Sequence, residues 1–469
     1  MANLCSPKIY RKRAVYGKLQ TVCNEPVELL DTDGGIRVAV GQTADAEVDM
    51  YERDIARSTL TPLPDVPGAV VGTMSFSSEL TGSGDLTVPP EHDVYLKACG
   101  MSRTDLQVIE MDLTVDLAYG DVINQPAETP GPITATGIVY KDVKAGTAVK
   151  VFVSTADTFA VSTATFKGDI SIGDTTATAQ TAGGFAYTPD SDSTNNITLM
   201  SFEDGYAKSI YGATGTWSYS ADSSNPAIIE FTFNGVVSQD YSFTLAPYAG
   251  TEIPKGEQLT DGAGKVIELL RALKVGEQEV LYTRISGDAI VATDVMTGTT
   301  GSATALTNEF NAGFGTRLAP TDSAGNVSEP TYFSTLPPVL QDARLKIGDF
   351  SPIFGNVSVD IANDAVVRVD GNSRNGLVAG YITNRMPTAS VDPEMIDSTD
   401  IDLYRGWFEG QVGTFQHRIG KSDGNTIDLY SQGAQYSSLS DGERDGVATV
   451  TAEMKLVGTD DDELVLVFT

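Results

Sequence analysis

His92 and His417 are the two imidazoles of this 469-residue chain, so histidine-centred acid–base chemistry would have to use one of them. His92 stands in "PPEHDVY" and His417 in "TFQHRIGK", and no sequence feature brings a nucleophile to either. "GNSRNG" around Ser373 misses the G-x-S-x-G pattern by one residue, and strands and turns surround it in place of the strand-to-helix turn that pattern needs. "GKS" at Gly420 to Ser422 is similar to the end of a phosphate-binding loop. Phe415, however, stands where its first glycine belongs and no helix pattern follows, so a hairpin turn is expected. Asp31 and Asp33 in "DTDGG" start like a calcium loop, but Gln42 occupies the place of the bidentate glutamate; "DDDE" at 460–463 is a second Asp-rich turn. Cys5, Cys23 and Cys99 have no metal-ligand spacing and cannot all pair with one another. The reading is therefore no enzyme, no cofactor and no metal, with a loose divalent ion in an Asp/Gly turn as the remaining exception.

The elements that carry these residues are predominantly strands. Gly, Ser and Thr punctuate the chain at short intervals, with runs of Val, Ile, Thr, Tyr and Phe between them, which is the pattern of an antiparallel β protein. In "MSFSSELTGSG", Met74, Phe76, Ser78 and Leu80 fall on one side of an extended chain and Ser75, Ser77 and Glu79 on the other, as in a half-buried strand. A short helix is expected next: Pro90 suits its N-terminus, Glu91 and Asp93 favour the positive end of its dipole, and Gly100 can stop it. "GAGKVIELLRALKVGE" (262–277) has apolar residues at helix spacing, although a strand pair remains open there. Trp217 and Trp407 sit in strand-like contexts, as core or subunit contacts. "VATVTAEMKLVG" alternates strictly and, with "ELVLVFT" after the turn "TDDD", reads as a closing hairpin with one half buried on both faces.

Composition shifts divide the chain into residues 1–128, 129–183, 184–240, 241–337 and 338–469, the second and fourth being Thr/Gly-rich β modules inserted into a host fold. "FKGDISIGDTTATAQTAGG" from Phe166 is similar to "ISGDAIVATDVMTGTTGSA" from Ile285, a faint internal repeat or a likeness of composition. The formal charge is -32, from 31 basic against 63 acidic residues, which disfavours phosphate clamping but suits a conduit through which nucleic acid slides without sticking. Lys8, Arg11, Lys12, Arg13 and Lys18 are the charges of the first 18 residues, so a basic arm precedes an acidic body and can dock on a neighbouring copy, unless it is a loose tail. No apolar run approaches the length of a membrane span, and the chain is expected to be soluble and not exported.

A further series of short stretches runs from Arg53 and Asp54 through Pro67 and Gly68, Glu79 to Gly84, Pro89 to Glu91 and Ala98 to Gly100. It continues through Tyr187 to Pro189, Asp204 and Gly205, Gly212 to Gly215 and Phe231 to Gly235. It ends with Gly371 to Arg374, Asp392 and Pro393, Trp407 and Asp461 to Leu464. In these stretches and their order the chain resembles siphovirus-type phage tail tube proteins, also called major tail proteins. The departures are the two inserted β segments.

The resemblance implies a mainly β fold: a tail-tube β-sandwich or barrel with a flanking α-helix. Six copies would join their sheets edge to edge in a ring, and rings would stack into a tube for the genome. The partners it implies are other copies of the chain, a tape-measure protein, tail-tip or baseplate proteins and terminator proteins. Viral DNA would pass through without sequence-specific binding. The place is the virion tail, after synthesis in the host cytoplasm. Lys8, Arg11, Lys12 and Arg13 are then candidates for inter-ring contact, and Glu79, Leu80, Gly82, Ser83 and Gly84 for a subunit contact loop. A bore open to duplex DNA leaves no room for the inserts, which are expected on the outer surface. The alternative is a β-rich surface binding or decoration protein whose modules take glycans or calcium.

Overall fold

The computed structural model describes residues 13–469 apart from positions 24, 28, 30–32, 57, 60, 127–131, 176–179, 224, 239, 317–331, 374 and 396–401. The first host segment holds β1 Arg13–Leu19, β2 Thr43–Tyr51, β3 Val66–Glu79, α1 Asp93–Ala98 and β4 Met101–Leu113. The first insert follows with β5 Val122–Pro126, β6 Ile133–Val139, β7 Gly146–Ser154, β8 Ala164–Lys167 and β9 Ile170–Thr175. The central host segment holds β10 Thr181–Pro189, β11 Ile197–Glu203, β12 Tyr206–Asp222 and β13 Ile228–Val237. The second insert holds β14 Tyr241–Thr244, β15 Gln258–Thr260, β16 Val266–Leu269, β17 Glu279–Ser286, β18 Val295–Thr297, β19 Ser302–Thr304 and β20 Phe310–Asn311. The chain returns to the host fold with β21 Phe314–Thr316, β22 Arg344–Ile347, β23 Asn356–Asp360, β24 Asn363–Val369, β25 Leu377–Arg385 and β26 Thr388–Val391. It closes with α2 Leu403–Phe408, β27 Val412–Ile419, β28 Ile427–Arg444, β29 Val447–Val457 and β30 Val465–Phe468.

The host fold is the expected sandwich with a flanking helix. One antiparallel sheet runs β2-β3-β13-β12-β23-β26-β29. The other runs β22-β27-β28-β30-β10-β4. Strand β28 joins them, because its second half leaves the second sheet to pair with β29. Alternation along β3 buries Met74, Phe76, Ser78 and Leu80, as the sequence pattern requires. Their neighbours across the sheet, Phe231, Phe233, Trp217 and Tyr219, are buried with them. Each contributes about 1.5–3 kcal/mol by leaving water. Helix α1 closes this core by inserting Tyr95, whose ring meets Phe76 edge-on at 5.4 Å. Its acids are drawn into tertiary ties: Asp93 accepts from Tyr187 and Arg103, and Glu91 pairs with Arg37. Gly100 at φ +74° ends the helix as expected.

Both inserts have cores of their own. The first gathers Ile123, Val139, Val151, Val153 and Ile172 around Ile109, Met111 and Leu113 of β4, so its core takes residues from both sides of the expected 128/129 boundary. The second is a seven-stranded sheet, β19-β18-β15-β16-β17-β14-β20, packed on Phe243, Leu259, Ile267 and Tyr282.

Four sequence readings change. Residues 262–277 form no helix: β-branched Val266 and Ile267 lie in β16, a strand between β15 and β17, so the strand alternative holds. Strands β29 and β30 are not a hairpin, since β29 pairs with β26 and β28 while β30 pairs with β28 and β10; the burial pattern expected of both is present. Trp407 lies in helix α2, whose N-cap Asp402 accepts from the Arg405 N–H, while Trp217 is a core strand residue. The two similar Gly-Asp stretches differ in build: Gly168 turns β8 into β9, whereas the chain after Gly287 runs without strand pairing to β18, whose partners are β19 and β15.

The loop after β3 is packed against the turn at 420–425. Gly82 donates to Asn425 Oδ1 at 2.8 Å and Gly84 to the Gly424 carbonyl at 3.0 Å. A Cβ on Gly82 would lie 2.0 Å from the Gly424 carbonyl oxygen. Gly82→Ala is therefore expected to cost on the order of 2 kcal/mol in denaturant unfolding. Gly371→Ala, which meets nothing within 4 Å, should leave the midpoint unchanged.

Candidate functional site

The residues that could do chemistry are placed as core or turn residues. His92 is the N-cap residue of α1 and His417 lies in β27; both are buried. His92 Nε2 is 3.3 Å from Ser78 Oγ, and His417 Nε2 is 2.8 Å from the Tyr219 hydroxyl. Burial, with Arg37 adding to it, holds His92 down at about 3, and burial holds His417 at about 4. Ser373 lies in the turn between β24 and β25, and Gly420 to Ser422 in the turn between β27 and β28. Asp31 lies outside the described residues; Asp33 accepts from Lys18, and Asp461 binds Arg385 and Ser191. Among the described residues no three His, Cys, Asp or Glu side chains are grouped to hold a metal, and no helix is long and apolar enough to cross a membrane.

Lys8, Arg11 and Lys12 lie outside the described residues. Arg13 is no part of a free arm. It opens β1, its guanidinium donates to the Gln42 carbonyl at 2.7 Å and pairs with Glu203 at 3.4 Å, and its side chain is 11% exposed. The loop proposed for subunit contact divides likewise: Leu80 and Gly82 are buried inside the chain, whereas Glu79 and Gly84 are exposed and Ser83 is half-buried.

The first sheet carries the feature that sequence reasoning missed. Burying one side of each strand turns the other outward. On β3 this is Thr73, Ser75, Ser77 and Glu79; on β13, Glu230, Thr232 and Asn234; on β12, Thr216, Ser218, Ser220 and Asp222. Register joins the rows, with Ser75 opposite Thr232, Thr232 opposite Thr216, and Ser218 opposite Asp360 of β23. The face continues through Ser358, Thr388, Ser390, Glu453 and Lys455 to Ser438 of β28. Hydroxyl hydrogen bonds tie it together: Ser75 with Thr232 at 2.9 Å, Thr73 to Asn234 Oδ1 at 3.0 Å and Ser438 to Glu453 Oε2 at 2.8 Å. The β24–β25 hairpin covers one end, through Asn363 to Thr216 Oγ1 and Asn234 to the Ala365 carbonyl; beyond it the face is half-exposed or exposed. Its acids are Glu79, Asp222, Glu230, Asp360 and Glu453, set against Lys455, and β2 extends it with Asp45 and Glu47.

Strand β2 is the open edge of that sheet. Its partner is β3, and past Ala44, whose carbonyl takes Lys208 Nζ, its outer edge has no partner strand among the described residues. The β2–β3 ribbon runs beyond the core, so both of its sides meet solvent. Val48, Met50, Tyr51, Ile55 and Val66 are 40–72% exposed there. Isolated ribbons are marginal in water, and an open edge that sets Val48, Met50 and Tyr51 beside Asp45, Glu47 and Asp49 offers backbone and apolar groups for pairing. A second exposed apolar group lies on α2, where Trp407 stacks on Phe408 and Phe408 is 76% exposed.

No family model and no curated protein matches this chain.

The buried histidines make stability depend on pH. Each has a folded pKa below the ordinary value near 6.5, so the unfolded chain takes up the proton first. That stability is whole above about pH 6.5 and is lost as pH falls toward about 4 for His417. His417→Gln removes this titration. Melting curves of both proteins should show the wild-type advantage shrinking between about pH 7 and pH 5, by on the order of 2 kcal/mol. A constant gap would mean that His417 is not held neutral.

Proposed function

We propose that this chain is the structural subunit of a phage tail tube, assembling with copies of itself into stacked rings around an open bore. The observation that carries the reading is the polar sheet face: a continuous surface of Ser, Thr and Asn, edged by acids and Lys455, across the width of the first sheet. Turned toward a bore, it offers a sliding duplex short, weak hydroxyl contacts, while its carboxylates repel phosphate. A phosphate-gripping wall would need arginines and lysines in the same positions.

The β2 edge supports the assembly half of the reading. An open edge and an apolar ribbon gain partners when a neighbouring copy adds strands to the sheet, and a ring closes such head-to-tail contacts. The hexameric ring, the tape-measure, tail-tip or baseplate and terminator partners, and the place in the virion tail after synthesis in the host cytoplasm rest on the sequence resemblance. The first insert fits an outward position: it packs through Tyr119 and Tyr140 against Leu106, Ala186, Val465 and Val467 on the outer side of the second sheet, away from the polar face.

Electron microscopy of the purified chain, alone and seeded with tail tips, tests this. Rings or tubes with a central hole are expected; a chain that stays monomeric under both conditions would sink the proposal. Val48→Asp with Tyr51→Asp should raise the concentration needed for assembly by at least about tenfold without lowering the melting temperature of the monomer. Removing residues 1–12, which spares β1, tests the basic arm: it is expected to weaken stacking, and tubes of unchanged length and salt resistance would refute the arm's role.

Glu230→Lys, Asp360→Lys and Glu453→Lys together should leave assembly intact and make the tubes retain short duplex DNA at low salt. Retention equal to wild type would place the polar face away from the bore.

A further inference from the structure

A cleft of about 490 Å3 lies between the first insert and the outer face of the second sheet. In a chain with twice as many acids as bases, its lining is cationic: Lys141, Lys144, Arg344, Lys346 and Arg418 against Asp142 and Asp428. Arg344 of β22 stands directly opposite Arg418 of β27, and Arg418 opposite Asp428 of β28. Like charges opposed across strands are unfavourable unless an anion joins them. Asp428 pairs with Arg418, and Asp342, which senses Arg344, is held by Lys421 at 2.9 Å. Arg344 and Lys346, two residues apart on one exposed strand face, have no ion-pair partner among the described residues.

A second observation is independent of these charges. Asp428 is 9% exposed and its Oδ2 atom has no hydrogen-bond partner among the described residues. Lys141 nearby is occupied, donating to Thr469 Oγ1 at 2.8 Å with its ammonium over the Phe152 ring. A buried carboxylate oxygen left bare is costly, and a donated hydroxyl would satisfy it. Beside it, the Tyr119 and Tyr430 rings stack with centroids 3.7 Å apart, and Tyr140 meets Tyr119 edge-on at 5.4 Å.

We propose that this cleft binds a hydroxyl-bearing anion of monosaccharide size, a sugar carrying a carboxylate or a phosphate. Arg344 and Lys346 take the anion, a sugar hydroxyl donates to Asp428 Oδ2, and the tyrosine wall packs against the ring. A bare anion leaves Asp428 unsatisfied, and a neutral sugar leaves the two cations unpaired. The volume is in the range of small-molecule sites. The proposal stands independently of the tube reading.

The test is calorimetric titration and thermal shift of the full chain with glucuronate, glucose 6-phosphate, glucose and inorganic phosphate. Glucuronate or glucose 6-phosphate should bind saturably, with glucose and phosphate at least about tenfold weaker; the tighter of the first two identifies the anion. Arg344→Ala with Lys346→Ala should weaken binding by at least about tenfold and leave the ligand-free melting temperature unchanged. No binding by either charged sugar, glucose binding as tightly as they do, or unchanged binding by the double variant would overturn the proposal. Phosphate binding as tightly as glucose 6-phosphate would reduce the site to an adventitious ion only.

Discussion

The aromatic packing of Phe76, Phe231, Phe233 and Tyr95 between the first sheet and helix α1 is the constraint on which the rest of the molecule depends. Side chains on a strand alternate with a period of two, so once Phe76 and Phe231 are committed inward, Ser75, Ser77, Glu230 and Thr232 have no choice of face. The polar surface is thus the reverse side of the core. A shift of one residue in the β3–β13 register would bury serines and expose phenylalanines, and the loss of several large buried side chains makes that shift prohibitive.

Charge follows the same economy. Many arginines are used within the chain: Arg37 on Glu91, Arg103 on Asp93, Arg385 on Asp461 and Glu463, and Arg444 on Asp392 and Glu394. These pairs tie loops and helix α1 to the sheets. With so many cations held internally, the excess acids face solvent, and the polar face inherits them. In the proposed assembly this surplus repels the polyanion in the bore, while contact between copies is left to apolar and backbone groups such as those of the β2–β3 ribbon. The cleft beside the first insert departs from this pattern, because Arg344 and Lys346 are cations with no ion-pair partner among the described residues of an acidic protein.

Much of the local structure was legible in the residues. The alternation from Met74 to Leu80, the helix ending before Gly100, the buried alternation of Val450, Ala452, Met454 and Leu456, and the turn at Gly420 each follow from spacing and turn chemistry, whereas the first half of the strand Val66–Glu79 carried no such pattern. Residues 262–277 were ambiguous because four apolar residues at i, i+3, i+4 and i+7 serve a helix or a short buried strand, and neighbours β15 and β17 decided between them. Arg13 looked like part of an arm because charge says nothing about pairing; its place came from β11, which is nearly two hundred residues away in sequence.

What the sequence determined by itself was the mainly β composition, the two-sided character of each strand and the acidic surplus, because these are properties of consecutive residues. Ser75, Ser77, Thr216, Ser218 and Thr232 could each be read as outward-facing. Only the tertiary structure decided that they lie side by side on one sheet, that β2 is left at its edge, and that Arg344, Arg418 and Asp428 meet in one cleft. The physical reason is that strand adjacency is set by backbone hydrogen bonds between segments far apart in the chain, and these carry no mark in the local pattern of side chains.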